Sequence, residues 1–315
     1  MRRALVALLV LATSVAGCGS GSDAPAEKGG SAGGDVKIVP IGGSQDAASI
    51  AVGTDAAWIG TDGRLLEADP ESGAIKRSVK LPVAGTPGSM AVDETAVWLV
   101  IFTEKEERLV GVDAETGQPV GRPFVIPFQY PIDIVAAGGY VWIASNLKGQ
   151  RNLYRYDPRA GKITKRIPNT GNIAMAGGED GLWLTSDDGL VRVDPAEARV
   201  TGGPYKTPTG GPVAVADGVV WTPTIEGALA RHDATSGDPL GQSSVDVKLL
   251  STLEAGPLGT WISDSGEDRL LRLDPETGKV SQTIEDVDSH EIAVGEQAIY
   301  ATADEDVPSI YVIKP

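Results

Sequence analysis

Beyond residue 36 the chain alternates short apolar runs with polar, glycine-rich breaks, in the same manner to its end. Ser49-Ile50-Ala51-Val52, Ser89-Met90-Ala91-Val92 and Glu291-Ile292-Ala293-Val294 belong to one class of run. Each is followed by a tight turn and then by a run with an aromatic residue near its centre. A third run comes next: Leu270-Leu271-Arg272-Leu273 in one copy, with Leu65, Leu109, Leu153, Leu190 and Leu229 at the equivalent first position in others. Runs this short, apolar or alternating and bounded by Gly and Asp, predict strands. No segment in this region sustains the 3.6-residue spacing that an amphipathic helix requires. The pattern therefore predicts an all-β fold.

The runs recur as a unit. The 6 tryptophans are Trp58, Trp98, Trp142, Trp183, Trp221 and Trp261, and Tyr300 continues the series. Their spacing is about 40 residues, the length of one four-stranded propeller blade. The third run of a unit ends in Asp69-Pro70-Glu71-Ser72-Gly73, Asp113-Ala114-Glu115-Thr116-Gly117 or Asp274-Pro275-Glu276-Thr277-Gly278. Variants begin at Asp157, Asp233 and Asp194, the last with Ala198 in place of the glycine. These aspartates superficially resemble a metal array, but their setting is that of a hairpin. The carboxylate accepts from turn amides, Pro presets φ, and Gly takes the left-handed position.

The last unit supplies three strands and the chain stops. Residues 36–41 form a β-prone segment ahead of the first complete unit, and Pro40 within it suits an outermost strand because it has no N–H to donate. Pairing this segment with the last unit completes seven four-stranded blades and closes the ring without an open edge. The tryptophan strand followed by Leu-x-Arg-x-Asp-Pro-x-Thr-Gly resembles the broad group of bacterial seven-bladed propellers. That group includes the YVTN-type repeats, the NHL-like repeats and the streptogramin lyases. The resemblance covers about residues 36–315 and implies the fold; function varies widely within the group.

The first residues read differently. Met1-Arg2-Arg3 is a positive n-region, and the apolar stretch over residues 4–12 is too short to span a bilayer. It leads into Val15-Ala16-Gly17-Cys18, which resembles a bacterial lipobox. That resemblance implies a signal peptide over residues 1–17 and a diacylated (palmitate-bearing) Cys18 as the first mature residue. It also implies attachment to the cell membrane on its extracytoplasmic face. Residues 18–35 carry mostly Gly, Ser, Ala and Pro and are expected to act as a flexible spacer, leaving residues 36–315 as the propeller. With 1 cysteine in the chain, an internal disulfide is excluded.

The formal charge of −16 becomes −18 once Arg2 and Arg3 are removed. Such a domain is repelled by nucleic acid, whereas a cationic ligand, a metal or a basic envelope protein is compatible with it. In propellers the loops before the innermost strand and after the second strand share one face. Here the repeat places Ser49, Ser89, Asp133, Asn172, Pro212, Thr252 and Glu291 in the first set. Asp62, Asn146, Asp187, Thr224, Asp264 and Asp304 fall in the second. Of these, Asp133, Asn172, Asp187, Asp264, Glu291 and Asp304 are the candidate binding residues. Their oxygens suit Ca²⁺, Mg²⁺ or a ligand amine.

His232 occupies a half-buried strand position and reads as structural, whereas His290 lies at the mouth of the closing unit. The streptogramin lyases are similar in placing a histidine before a late innermost strand. The resemblance implies His290 as a base, with Asp288 and Glu305 as Mg²⁺ ligands. The sequence departs from that pattern at Glu291, where the family has Gly, and at Asp288, where it has Glu. No P-loop and no His-Glu-x-x-His is present, and the Gly-x-Ser-x-Gly match at 29–33 lies in the spacer. The expected function is therefore a tethered, monomeric binding or scaffolding module. A metal-dependent lyase and a structural envelope protein are the alternatives.

Overall fold

The computed structural model describes residues 34–42, 47, 49–128, 131–147, 150–168, 170, 174–178, 181–186, 188–206, 211–224, 226–303 and 308–315. Seven antiparallel four-stranded sheets make up the fold, with no helix among the described residues. Six blades are each built from consecutive strands. The first blade runs Ser49–Val52, Ala57–Thr61, Arg64–Ala68 and Ile75–Lys80. The seventh is composite. Its strands Ile292–Val294, Ile299–Ala303 and Ser309–Lys314 are joined by Asp35–Pro40 from the other end of the chain.

In that closing pair, Asp35 stands opposite Lys314 and Pro40 opposite Ser309. The N-terminal strand is the outermost of its sheet, as the proline requires. Its observed span lies one residue earlier than the 36–41 expected from sequence, and the innermost strand of this blade begins at Ile292, just after Glu291. The first strands of neighbouring blades touch all the way round, so the seven sheets close into a ring about a bore.

The recurring aromatic lies in the second strand of every blade. Trp142, Trp183, Trp221, Trp261 and Tyr300 are fully buried, and Trp58 and Trp98 nearly so. Because residues two apart on a strand share a face, the aromatic and its neighbours fill the space between adjacent sheets. In the fourth to sixth blades a third-strand arginine stands opposite the aromatic in register, as Trp183–Arg192, Trp221–Arg231 and Trp261–Arg272. Its guanidinium lies over the indole at 5.8–6.0 Å.

The aspartate turns are hairpins, as expected from their composition. Asp274 Oδ1 accepts from the Thr277 amide and hydroxyl, and Asp69 Oδ1 from the Glu71 and Ser72 amides and the Ser72 hydroxyl. The glycine at the end takes a left-handed φ of 71° at Gly73 and 74° at Gly278. Ala198 adopts 51° where the sequence lacks that glycine. His232 is 4% exposed, more deeply buried than its sequence position implied. Its Nδ1 lies 3.1 Å from the Gly237 carbonyl oxygen, which fixes it in a structural role.

Candidate functional site

A four-stranded antiparallel blade has two ends. Turns joining strands one to two and three to four lie on one face of the ring, here the turn face. Loops joining strands two to three, and each blade to the next, lie on the other, the loop face. The innermost strands cross the bore between them. At the position paired with the second-strand aromatic, these strands carry Ala51, Ala91, Val135, Ala176, Ala214 and Ala293. The exception is Glu254, opposite Trp261. Two residues towards the loop face, Asp133 and Glu291 occupy a second level.

These three carboxylates line one cavity of about 790 Å³, bounded by residues of all seven inner strands and by no lysine, arginine or histidine. Asp133 is anchored across three blades. Its Oδ1 accepts from Ser89 Oγ at 2.9 Å and its Oδ2 from the Met175 amide at 3.0 Å. Glu291 Oε1 accepts from the Ile50 amide at 3.0 Å, tying the last blade to the first. Glu254 accepts from the amide of its own neighbour Ala255 and has no clasp from another blade, and its side chain is exposed in the bore.

The ring nevertheless surrounds Glu254 with protein, and this enclosure raises its carboxyl to about 8; the charges of Asp133 and Glu291 push the same way. Burial likewise raises Glu291 to about 7, with Asp133 adding to the shift against the opposing Ile50 amide. Asp133 rises to about 6 through burial, opposed by its donors. Near neutral pH the bore therefore holds part of its three charges as protons. A cation entering it would stabilise the ionised forms and expel those protons.

No protein-family profile matches the chain. No curated protein matches it either. Among solved structures it is similar to the crystal structure of BamB from Moraxella catarrhalis, with a TM-score of 0.56 at 15% identity over 85% of this chain and 81% of that one. At that identity the likeness is one of fold. It carries no residue roles, so the site rests on its own geometry.

The other residues singled out from sequence have separate fates. Asp264 has no exposed side-chain surface. Its Oδ1 accepts from the Lys248 and Leu249 amides, and its Oδ2 from Arg269 Nε and Nη2. Burial opposes its charge, but these donors outweigh it and hold the carboxyl below its usual range. Asp264 thus clasps the loop entering the sixth blade. His290 is exposed at the rim, and its Nδ1 lies 3.4 Å from Ser251 Oγ, which is in turn 2.6 Å from Ser265 Oγ. The ring is therefore directed towards a serine pair. Asp288 is half-buried.

Asn172, Asp187, Asp304, Glu305 and Cys18 lie outside the described residues. Among the described residues no three His, Cys, Asp or Glu side chains are grouped to hold a metal. Sequence reasoning missed Glu254. Its signal was available in the repeat, as the one charged residue at a position otherwise filled by Ala or Val.

Proposed function

We propose that this chain is an extracytoplasmic binding propeller, tethered through a lipid on Cys18, that takes a small cationic ligand into its bore. The reading is carried by one observation. Asp133, Glu254 and Glu291 face a single cavity that no basic side chain lines, and their charges are mutually felt. A ligand with two ammonium groups fits such a site by charge and by donor number. Binding draws the three carboxyls into their ionised forms, so affinity rises between pH 6 and pH 8.

The test is calorimetric titration of the protein with 1,4-diaminobutane at several pH values and in buffers of different ionisation enthalpy. The expected result is binding that tightens with pH, releases protons and weakens in Glu254→Gln. Absence of heat at pH 8, or affinity independent of pH, would overturn the reading. The tether is tested separately. A Cys18→Ser chain is expected to leave the membrane fraction, and retention there would remove the lipid from the proposal. The bore and the anchor are independent, so either can fail alone.

A further inference from the structure

A second cavity, of about 1090 Å³, opens on the turn face; it adjoins the bore at Val52, Val92 and Val294 but is lined by none of the three bore carboxylates. It spans the first, second, sixth and seventh blades, from Gly53 and Trp58 across to Pro257 and Glu296. Asp55, Glu94, Glu115 and Glu296 stand exposed around it. None of the four has an ion pair or side-chain hydrogen bond among the described residues. Two further carboxylates in its wall are already spent: Glu67 on Arg77, and Asp93 on its own turn and on Trp98. No lysine, arginine or histidine lines the space.

The floor carries a second, separate feature. Trp58 lines the cavity and is 2% exposed, and its indole N–H has no acceptor among the described residues. In the two blades where this N–H is bonded, the acceptor belongs to the turn between the first and second strands. Trp98 Nε1 donates to Asp93 Oδ2 at 3.0 Å and Trp261 Nε1 to the Leu258 carbonyl at 3.0 Å. The first blade has Gly53 where the second has Asp93, so the carboxylate is missing and the cavity occupies that side of the indole. The N–H groups of Trp142, Trp183 and Trp221 are also unpartnered, but they are sealed from solvent. The Trp58 N–H is not sealed in this way: its side chain is held in the core while the N–H stays accessible from the cavity, so an acceptor entering there can reach it.

We propose that the turn-face cavity over Trp58 is a docking site for an extended basic peptide segment, whose backbone carbonyl accepts from the Trp58 indole while its lysine or arginine side chains reach Glu94, Glu115 and Glu296. A basic peptide combines what the site offers to bind: a neutral acceptor for the Trp58 N–H, and cations spaced by an extended backbone for the rim. A bare metal ion offers no acceptor to an N–H, and a simple polyamine offers none either.

The test uses the full chain and an acetylated, amidated, dye-labelled Gly-Lys-Gly-Lys-Gly peptide, read by fluorescence anisotropy at low and moderate salt. The Glu94→Gln/Glu296→Gln pair, which touches no structural partner, is expected to weaken binding roughly fivefold to tenfold. Trp58→Phe removes the N–H and is expected to cost about fivefold with the salt dependence unchanged. Glu254→Gln, inside the bore, is expected to have no effect. The proposal is overturned if the peptide does not bind at low salt, or if the Gly-Glu-Gly-Glu-Gly counterpart binds equally. It is also overturned if the double variant binds as well as the parent, or if Glu254→Gln abolishes binding. Calcium that displaces the peptide and itself fails to bind the double variant gives the site to a metal ion instead.

Discussion

The Tyr300 hydroxyl donates to the backbone carbonyl of Asp69 at 3.0 Å, joining the last blade to the first. In four of the other blades the same bridge is made by arginine. Arg77 reaches the Ala114 and Glu115 carbonyls, Arg155 the Ala196 carbonyl, Arg192 the Thr235 carbonyl, and Arg231 the Pro275 and Glu276 carbonyls. Each links a blade to the aspartate turn of its successor. At the seam the third strand offers Val312 opposite the aromatic instead of arginine, and the phenol makes the bridge in its place. The one departure from tryptophan in the series thus coincides with the point where the ring must close.

Tyr300→Phe is expected to lose about 1 kcal/mol of stability. The Asp69 carbonyl keeps its bond from the Gly73 amide, so no acceptor is orphaned and the cost stays near that of one hydrogen bond. Urea denaturation of the two proteins checks it. An unchanged midpoint would mean that the seam is held by the strand pairing alone.

Removing residues 35–41 strips the outer strand from the seventh blade and exposes the edge of Ser309–Lys314. Since this strand alone ties the two ends of the chain into one sheet, the expected outcome is aggregation or loss of the cooperative melt. A truncated chain that melts at the parent temperature would show that closure contributes nothing.

Two turn glycines with similar φ should respond differently to alanine. Gly161 has φ 63° and nothing within 4 Å of an added Cβ, so Gly161→Ala should cost about 1 kcal/mol from backbone strain alone. At Gly237, with φ 79°, a Cβ would meet Tyr205 Cζ at 2.0 Å. Gly237→Ala should therefore cost roughly 3 kcal/mol, adding overpacking to the strain. Equal losses for both would refute the packing part.

The bore sets a pH dependence of definite sign. In the folded state Asp133, Glu291 and Glu254 titrate near 6, 7 and 8, above their ordinary values. Between the unfolded and folded values the folded state binds more protons, so stability falls as pH rises from about 5 to 8. The turn carboxylates act oppositely. The Thr116 hydroxyl and amide hold Asp113 below its usual range, and the Thr277 amide and hydroxyl do so for Asp274. Their contribution is present above the ordinary aspartate pKa and is lost in more acid solution. Thermal melts should show the decline towards pH 8, and Glu254→Gln should flatten it. A rise in melting temperature over that interval would contradict the assignment.

The repeat alone determined the blades: the aromatic interval, the short apolar runs and the Asp–Gly turns each have a local cause that one blade length of chain expresses. The closing strand was legible too, because three strands at one end and one at the other leave a single pairing that removes the open edge. The sites were legible only in part. Asp133 and Glu291 were found from the register, but Asp264, alike on paper, is consumed by Arg269 and two amides. Its partners, Lys248, Leu249 and Arg269, lie 16, 15 and 5 residues away, and only folding sets their directions. Glu254 became a bore residue when seven inner strands were brought around one axis. The Trp58 donor became available because Gly53 stands where the next blade has Asp93. Local pattern specifies which strands form; which polar groups find partners, and which are left facing a cavity, is decided by contacts between blades far apart in the chain.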